Sequence, residues 1–174
     1  MIVILRIGHR PFRDKRITTH VALVARAFGA DEIYIDTHDV KIEETIQRVC
    51  KNFGGSFLIK TGVSPKKIIK EWNGQIVHLT MYGETLSNSI KFLNVKKDIL
   101  VIVGAEKVPP DYYELADINV SVGNQPHSEV AAVAVFLDRL TKSTWEQNIF
   151  DGEMTIIPSK HGKKVESTDE QNKD

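Results

Sequence analysis

Residues 122–132, Val-Gly-Asn-Gln-Pro-His-Ser-Glu-Val-Ala-Ala, join a short apolar run to a long one and decide the fold. At a junction between strand and helix several backbone N–H groups are free, and in open α/β sheets ligands bind beyond the carboxyl ends of the strands. The polar loop suits such a site. A well-capped helix start, with Ser128 or His127 near the N-cap, would also explain these residue types. Two further loops with similar residues, described below, favour a ligand site over a simple helix cap.

Composition places the chain among ordinary globular proteins. It has 174 residues, about one domain, with 41% hydrophobic and 26% charged residues. Lys+Arg and Asp+Glu both number 23, so net charge gives no argument for nucleic acid binding. The single Cys50 excludes an intrachain disulfide and a cysteine metal cluster. The N-terminal apolar run is too short for a signal peptide, and no run approaches the ~20 residues of a membrane helix. We expect a soluble cytoplasmic protein that uses neither membrane nor metal.

Strand-like and helix-like segments alternate along the chain, which predicts an α/β fold with a mainly parallel six-stranded sheet. The predicted strands are 2–7, 32–36, 56–60, 75–79, 98–103 and 117–122. The predicted helices run from Thr18 or Thr19 to Phe28, over 41–53, from Ser64-Pro65 with an apolar side that includes Trp72, over about 85–93, over 110–115 and over about 127–141. The last helix is apolar on nearly every side, so it is either buried all round or packs against another subunit.

The chain divides into three parts. Residues 1–142 form the predicted domain, and residues 143–158 carry enough apolar side chains to dock on it as a short arm. Residues 159–174 are charged and lack periodicity, so we expect disorder there.

Three loops follow predicted strands and therefore lie at one edge of a parallel sheet: 78–83, 104–109 and 123–128. Each combines a glycine, which lets a ligand approach the backbone, with apolar residues suited to a flat ring. None has the spacing of a Walker loop or of a dinucleotide-binding glycine motif, which disfavours a di- or triphosphate. An adenosine with few charges, held by backbone hydrogen bonds and apolar contacts, fits better.

These loops also carry a family resemblance. Gly104-Ala105-Glu106 after an apolar strand resembles the second motif of the SPOUT methyltransferase superfamily, and residues 123–132 resemble its third. More closely, the chain resembles the archaeal tRNA cytidine-56 2′-O-methyltransferases. The stretches that carry this resemblance are 5–11 (LRIGHRP), 13–16 (RDKR), 18–23 (TTHVAL), 25–30 (ARAFGA), 77–83 (VHLTMYG), 102–109 and 123–132, which together span residues 5–140.

The resemblance implies a deep C-terminal trefoil knot over about residues 77–140. It also implies a homodimer, tRNA as the substrate, and methyl transfer from S-adenosylmethionine to the ribose 2′-hydroxyl of the T-loop cytidine. The last helix fits the dimer interface. The cofactor contacts carried over by this resemblance are Leu79, Gly104, Ala105, Glu106, Lys107, Val108, Val122, Gly123, Asn124, Gln125, Pro126, His127, Ser128 and Glu129.

A neutral 2′-hydroxyl is a poor nucleophile and needs a base or a cation that stabilises the developing alkoxide. Related enzymes place an arginine in the first helix, but alignment on Ala27-Phe28-Gly29 puts Leu23 at that position. Residues 9–16 hold four cations and one anion. Our hypothesis is that Arg16, or else Arg10 or Arg13, assists the hydroxyl. The alternative is that this basic loop only holds phosphates.

Two other functions remain open at this point. One is a dimeric RNA-binding module without catalysis, which the absent arginine supports. The other is a SPOUT enzyme that methylates a base nitrogen. Glu106 is suited to accept from a ribose or to form a surface salt bridge. Tyr82 is suited either to stack on a ring or to pack in the core. His78 and His127 lack neighbours at metal-ligand spacing.

Overall fold

Six strands form one parallel sheet in the computed structural model of the chain, which describes residues 1–105 and 107–167. The order across the sheet is β3-β2-β1-β5-β4-β6, and every pairing in it is parallel, which confirms the predicted fold class. The strands are β1 (Ile2–Ile7), β2 (Glu32–Ile35), β3 (Leu58–Thr61), β4 (Gln75–Thr85), β5 (Ile99–Gly104) and β6 (Ile118–Ser121).

Helices cover both faces of this sheet. They are α1 (Lys15–Ala27), α2 (Val40–Phe53), α3 (Pro65–Glu71), α4 (Leu86–Ser89), α5 (Asp111–Leu115) and α6 (Glu129–Thr141), and a 3-10 turn at Ile90–Phe92 extends α4. No helix within residues 1–105 and 107–167 has the length and hydropathy of a membrane span.

The first helix begins at Lys15, earlier than the threonines suggested. Thr18 is fully buried, and its hydroxyl lies 2.9 Å from Nδ1 of His9, so it does not cap a helix. The hydroxyl of Thr19 donates to the carbonyl oxygen of Lys15 inside the helix. Both threonines are therefore in the helix interior, where hydroxyls also find local partners.

The core lies on both faces of β1 and β5. Alternate residues point to opposite sides, because the side-chain period of a strand is two. Ile4 and Val101 pack in the cluster that contains Phe136 of α6, whereas Leu5 and Ile102 pack in the cluster with Ile69, Tyr112 and their neighbours. Full burial of one such side chain stabilises the fold by about 1.5–3 kcal/mol.

The arm at 143–158 docks on α1 and α2 of its own chain. Trp145 stacks on Phe28 with ring centroids 4.3 Å apart. The guanidinium of Arg26 lies 4.7 Å from the ring centroid of Phe150 and donates to the carbonyl oxygen of Gly54. A Cβ at Gly54 would come within 2.4 Å of the Asp151 backbone, so the two backbones are in direct contact.

The end of the chain differs from the expected disordered tail over residues 159–167. Strand β7 (Met154–Ile156) pairs antiparallel with β8 (Val165–Ser167), so the segment between them forms the turn of a hairpin. Backbone pairing needs no hydrophobic periodicity, which is why the charged sequence did not indicate it. The remainder of the predicted tail, residues 168–174, lies outside the described residues.

Strand β4 is longer than predicted and irregular. Both Leu79 and Glu84 align with Val120 of β6, so the residues between them bulge out of the sheet. Gly83 allows this arrangement: a Cβ there would lie 2.5 Å from the carbonyl carbon and oxygen of Asn119. The bulge at 80–83 therefore rests directly on the β6 backbone.

We predict that Gly83→Ala lowers the free energy of unfolding by about 3 kcal/mol or more, because the added methyl meets backbone rather than a movable side chain. Gly123→Ala is the matched control. Gly123 has a φ of +88° but open space around its Cα, so only backbone strain of about 1–2 kcal/mol is expected. Chemical denaturation measures both. Equal losses in the two variants would contradict the close contact.

Candidate functional site

A cavity of about 790 Å³ opens at the carboxyl edge of the sheet, between the ends of β4, β5 and β6 and the start of α6. This volume lies within the usual range for small-molecule sites. Three chain segments line it: Leu79, Thr80, Met81 and Tyr82; then Val103, Gly104, Ala105, Lys107, Val108, Pro110, Tyr113 and Glu114; then Val122, Gln125, Pro126, His127, Glu129 and Ala132.

The three loops singled out in the sequence thus meet at one cavity. The residues with predicted cofactor contacts that line it are Leu79, Gly104, Ala105, Lys107, Val108, Val122, Gln125, Pro126, His127 and Glu129. Gly123, Asn124 and Ser128 belong to the same loop but are not among the described residues that line the cavity. Glu106 lies outside the described residues.

Asn124 and Ser128 stabilise the loop that forms one wall of the cavity, although they do not line it themselves. The side-chain amide of Asn124 donates to the carbonyl oxygens of Met81, at 2.9 Å, and Gly83, at 3.3 Å. Ser128 caps α6, where its hydroxyl oxygen accepts from the backbone N–H of Val130. The loop after β6 is therefore fastened both to the bulge in β4 and to the helix that follows it.

The ring of His127 connects the two ends of this loop. Its Nε2 lies 2.7 Å from the carbonyl oxygen of Val122, and its Nδ1 lies 3.0 Å from that of Ser128. Carbonyl oxygens only accept hydrogen bonds, and a neutral imidazole has one N–H, so the neutral ring donates to one of these two oxygens. His127 therefore braces the loop at the cavity rim.

The sequence left two interpretations open for Tyr82 and did not indicate several other residues that line the cavity. Tyr82 is 73% exposed beside the cavity, so the core-packing interpretation of this residue is wrong. Tyr113 and Glu114 come from the short helix α5, which reaches the cavity only through tertiary packing. Thr80 and Met81 lie in the loop singled out after β4, but the resemblance carried over only Leu79 from that loop.

Arg6 was also missed, although it contacts two lining residues. It is fully buried on β1, and it donates from Nη1 to the carbonyl oxygen of Gly104 at 2.5 Å and from Nη2 to Oε1 of Glu129 at 2.6 Å. The only sequence signal was a charged residue inside an apolar strand.

Arg10, Arg13 and Arg16 of the basic loop after β1 are not part of the cavity wall in this chain. Arg10 makes two short hydrogen bonds to the Asp14 carboxylate, at 2.7 and 2.9 Å, and these bonds hold the pKa of Asp14 below its usual value. Arg13 and Arg16 are exposed to solvent. Among the described residues that line the cavity there is none of these three arginines.

His78 supports the cavity from inside the sheet. It is fully buried in β4, its Nδ1 lies 2.8 Å from Oδ1 of Asn119, and its ring meets Tyr113 edge-on at 4.6 Å. The amide nitrogen of Asn119 donates to the carbonyl oxygen of Tyr113, so its oxygen faces the histidine and accepts from Nδ1–H. Burial lowers the pKa of His78, which favours the neutral ring. In the described part of the chain no three metal-ligating side chains cluster.

We predict that His78 makes the fold acid-sensitive. Its pKa is lowered in the folded state, so on acidification the unfolded chain takes up this proton first. The stability from the neutral ring is present above the unfolded pKa of about 6.5 and is lost as pH falls towards the folded pKa, by up to about 1.4 kcal/mol per pH unit.

Denaturation curves between pH 7 and 5 measure this slope. His78→Gln should flatten it, whatever the absolute stability of the variant, because glutamine does not titrate. His20→Gln, at an exposed position on α1, is the control and should keep the parent slope. An unchanged slope in the His78 variant would show that another group titrates.

The fold and the cavity at its carboxyl edge define a class, the α/β fold of SpoU- and TrmH-type RNA methyltransferases. A TrmH/SpoU tRNA modifying enzyme from A. aeolicus superposes with a TM-score of 0.63 at 17% identity, over 84% of this chain and 76% of that one. The SpoU methyltransferase AviRb from Streptomyces viridochromogenes, in complex with AdoMet, superposes with a TM-score of 0.60 at 14% identity, over 82% and 57%.

The family model described as "tRNA ribose 2'-O-methyltransferase, aTrm56" matches residues 53–166, and this chain belongs to that family. A tRNA (cytidine(56)-2'-O)-methyltransferase from Archaeoglobus fulgidus is 52% identical over 95% of this chain and 98% of its own length. One from Picrophilus torridus is 58% identical over 95% of this chain. The chain spans about half the length of the latter relative, 48%.

Proposed function

We propose that this protein transfers a methyl group from S-adenosylmethionine to the ribose 2′-hydroxyl of cytidine 56 in the T-loop of tRNA. The observation that carries the proposal is the cavity built by three loops at the carboxyl edge of the sheet, in a chain of this family. Relatives that are 50–58% identical carry the name of this activity. We further propose that the protein acts in the cytoplasm.

The residues present suit the adenosyl cofactor. Apolar side chains of Leu79, Val108 and Val122 offer walls for a flat ring, and Gln125 and Glu129 offer polar contacts. The positive φ of Gly123 turns the chain sharply at the rim. When bound, S-adenosylmethionine supplies an electrophilic methyl carbon. The loops hold the reacting groups in place, and reacting atoms are productive at about 3–3.5 Å separation.

Residues 1–142 form the proposed SPOUT methyltransferase domain, with a trefoil knot over about residues 77–140. Two contacts support the knot. The bulge at 80–83 rests on the β6 backbone through Gly83, and Asn124 fastens the next loop to the same bulge. The chain that leaves β4 at the bulge thus comes back to the same bulge through β6 and the loop that follows it.

We also propose that the protein is a homodimer, and one face of α6 supports this. This helix buries Phe136 and Leu137 in its own chain, but it leaves Ala131 exposed and Val135 41% exposed, with Val130 and Ala134 half-buried beside them. An exposed apolar patch on a helix face is suited to contact another protein surface, here a second copy of the chain. We propose that this face forms the dimer interface.

The catalytic arginine then comes from the second protomer. Arg10, Arg13 and Arg16 do not line the cavity of their own chain, and Arg10 is engaged by Asp14. Arg13 and Arg16 are exposed and available to a neighbour. A guanidinium placed beside the 2′-hydroxyl stabilises the charge that develops on its oxygen. Arg16 is the first candidate for this role, and Arg13 the second.

We predict that Arg16→Ala lowers the single-turnover rate of ribose methylation by about 100-fold or more at saturating tRNA, the usual effect of removing one donor to a developing oxyanion. Unmodified tRNA is the substrate, and ribose-methylation mapping reads the product. Arg10→Ala and Arg13→Ala are measured in parallel, and Arg48→Ala, at an exposed position on α2, is the control. If all three loop variants keep the full rate, none of these arginines is catalytic and the loop only contacts phosphates.

Mixing two inactive homodimers tests the origin of the arginine. Leu79→Trp fills the cavity of one protomer, and Arg16→Ala removes the arginine of the other. If the arginine acts across the interface, a mixed dimer has one intact site and activity returns. No recovery in mixtures that form heterodimers would place cavity and arginine on one protomer.

Phe12 extends the substrate surface. It is fully exposed at the tip of the basic loop, beside Arg13. Aromatic side chains among cations stack on unpaired bases, as a tRNA loop provides. We predict that Phe12→Ala weakens tRNA binding about 5- to 100-fold, since stacking contributes about 1–3 kcal/mol per base. Phe92→Ala, at another exposed phenylalanine, is the control for a filter-binding measurement. Equal affinities for both variants would contradict the assignment.

The second candidate function is an RNA-binding module without catalysis. It is favoured by one observation, that Arg10, Arg13 and Arg16 are not among the described residues that line the cavity of their own chain. Calorimetry with S-adenosylmethionine separates the two, since a bare RNA binder releases no heat at millimolar cofactor. Mapping which atom of the nucleotide carries the methyl group separates ribose methylation from methylation of a base nitrogen.

A further inference from the structure

Arg6 is a buried charge that the proposed chemistry leaves without a role. Its side chain is fully buried on β1, between apolar neighbours, and its Nε has no hydrogen-bond partner among the described residues. Burying an ion costs several kcal/mol, and well-packed apolar residues often replace a buried ion pair at no loss of stability. Fold stability alone therefore gives a weak reason for an arginine at this position.

The contacts of Arg6 lead to the cavity. One guanidinium nitrogen donates to the carbonyl oxygen of Gly104, at the end of β5, and another donates to Oε1 of Glu129, at the start of α6. Both partners line the cavity. Arg6 thus joins two of the three walls and fixes the Glu129 carboxylate, whose side chain is 28% exposed.

The Glu129 carboxylate is suited to one kind of ligand group. A carboxylate is an acceptor with about four lone-pair sites, and Arg6 engages only one oxygen. The remaining capacity selects a donor such as a hydroxyl and repels a phosphate. Apolar Val108 and Val122 line the same cavity and suit the base of a nucleoside.

We propose that Arg6 is a positioning residue that holds the Glu129 carboxylate to accept a hydrogen bond from a ribose hydroxyl in the cavity. The inference rests on the proposed function and names a group that the site recognises. Two ribose hydroxyls are available there, one on the cofactor and one on the tRNA nucleotide. Arg6 acts through Glu129, because a fully buried side chain does not reach either of them.

Arg26 provides a matched control for a structural arginine. It is also buried, it also donates to backbone carbonyl oxygens, and its Nε also lacks a partner among the described residues. Its contacts are with Phe53, Gly54 and Phe150, which do not line the cavity. Arg26→Met should therefore lower stability without changing ligand binding.

The test uses the full chain with Arg6→Met, Arg6→Lys, Glu129→Gln, the Arg6→Met/Glu129→Gln double variant, and Arg26→Met. Calorimetry with S-adenosylhomocysteine gives the dissociation constant, and single-turnover methylation at saturating tRNA and cofactor gives the rate. We expect Arg6→Met and Glu129→Gln each to lose about 10- to 100-fold in one of these two quantities. The double variant should lose no more than the worse single variant, because the pair acts as a unit. Arg6→Lys should recover part of the loss.

The quantity that changes identifies the hydroxyl. A larger dissociation constant with an unchanged rate assigns the hydroxyl to the cofactor ribose. An unchanged dissociation constant with a slower rate assigns it to the tRNA nucleotide. If a folded Arg6→Met variant leaves both quantities at the parent values, Arg6 is structural like Arg26 and the inference is overturned, and the same holds if Glu129→Gln leaves both unchanged. Glu129→Gln keeps the test valid if Arg6→Met does not fold, because Glu129 is partly exposed. A parent chain that neither binds S-adenosylhomocysteine nor methylates tRNA overturns the proposed function as well.

Discussion

The contact between the bulge of β4 and the backbone of β6 is the constraint on which the site depends. Leu79 and Glu84 align with the same residue of β6, so the chain between them has to leave the sheet. Gly83 permits it to lie against Asn119 with no side chain between. The bulge then forms one wall of the cavity, and Asn124 fastens the opposite loop to it. Without this contact the strand ends would remain, but the space between them would have no fixed shape.

Buried polar groups complete that shape. Arg6 joins the end of β5 to the start of α6, and the chain of hydrogen bonds from His78 through Asn119 to Tyr113 fixes the wall on α5. Such groups are costly in a protein interior unless they are satisfied. Both networks end at residues that line the cavity, so they help to fix its geometry. A cavity held by fixed partners needs little reorganisation when a ligand binds.

Features that depend only on neighbouring residues could be predicted from the sequence. The apolar runs of β1 and β5 predict buried parallel strands, and the glycines and polar residues after the strands predict the edge where a ligand site lies. Ten of the residues with predicted cofactor contacts, from Leu79 to Glu129, line this cavity. Features that depend on distant partners were missed. Glu84 and Thr85 belong to β4 only because β6 pairs with them, and Thr18 is interior because it contacts His9. Arg6 and Tyr113 approach the cavity through contacts that no short motif records.

A crystal structure of the chain with S-adenosylhomocysteine tests the central claim most directly, because the claim concerns where one nucleoside lies. We predict density for the adenosine between residues 79–82, 103–105 with 107–108, and 122–129, with the bulge unmoved. Glu129 should then lie next to a ribose hydroxyl of the ligand or next to the open side of the cavity where the tRNA nucleotide enters. Density for the ligand at another surface, with this cavity empty or filled by the protein's own side chains, would contradict it.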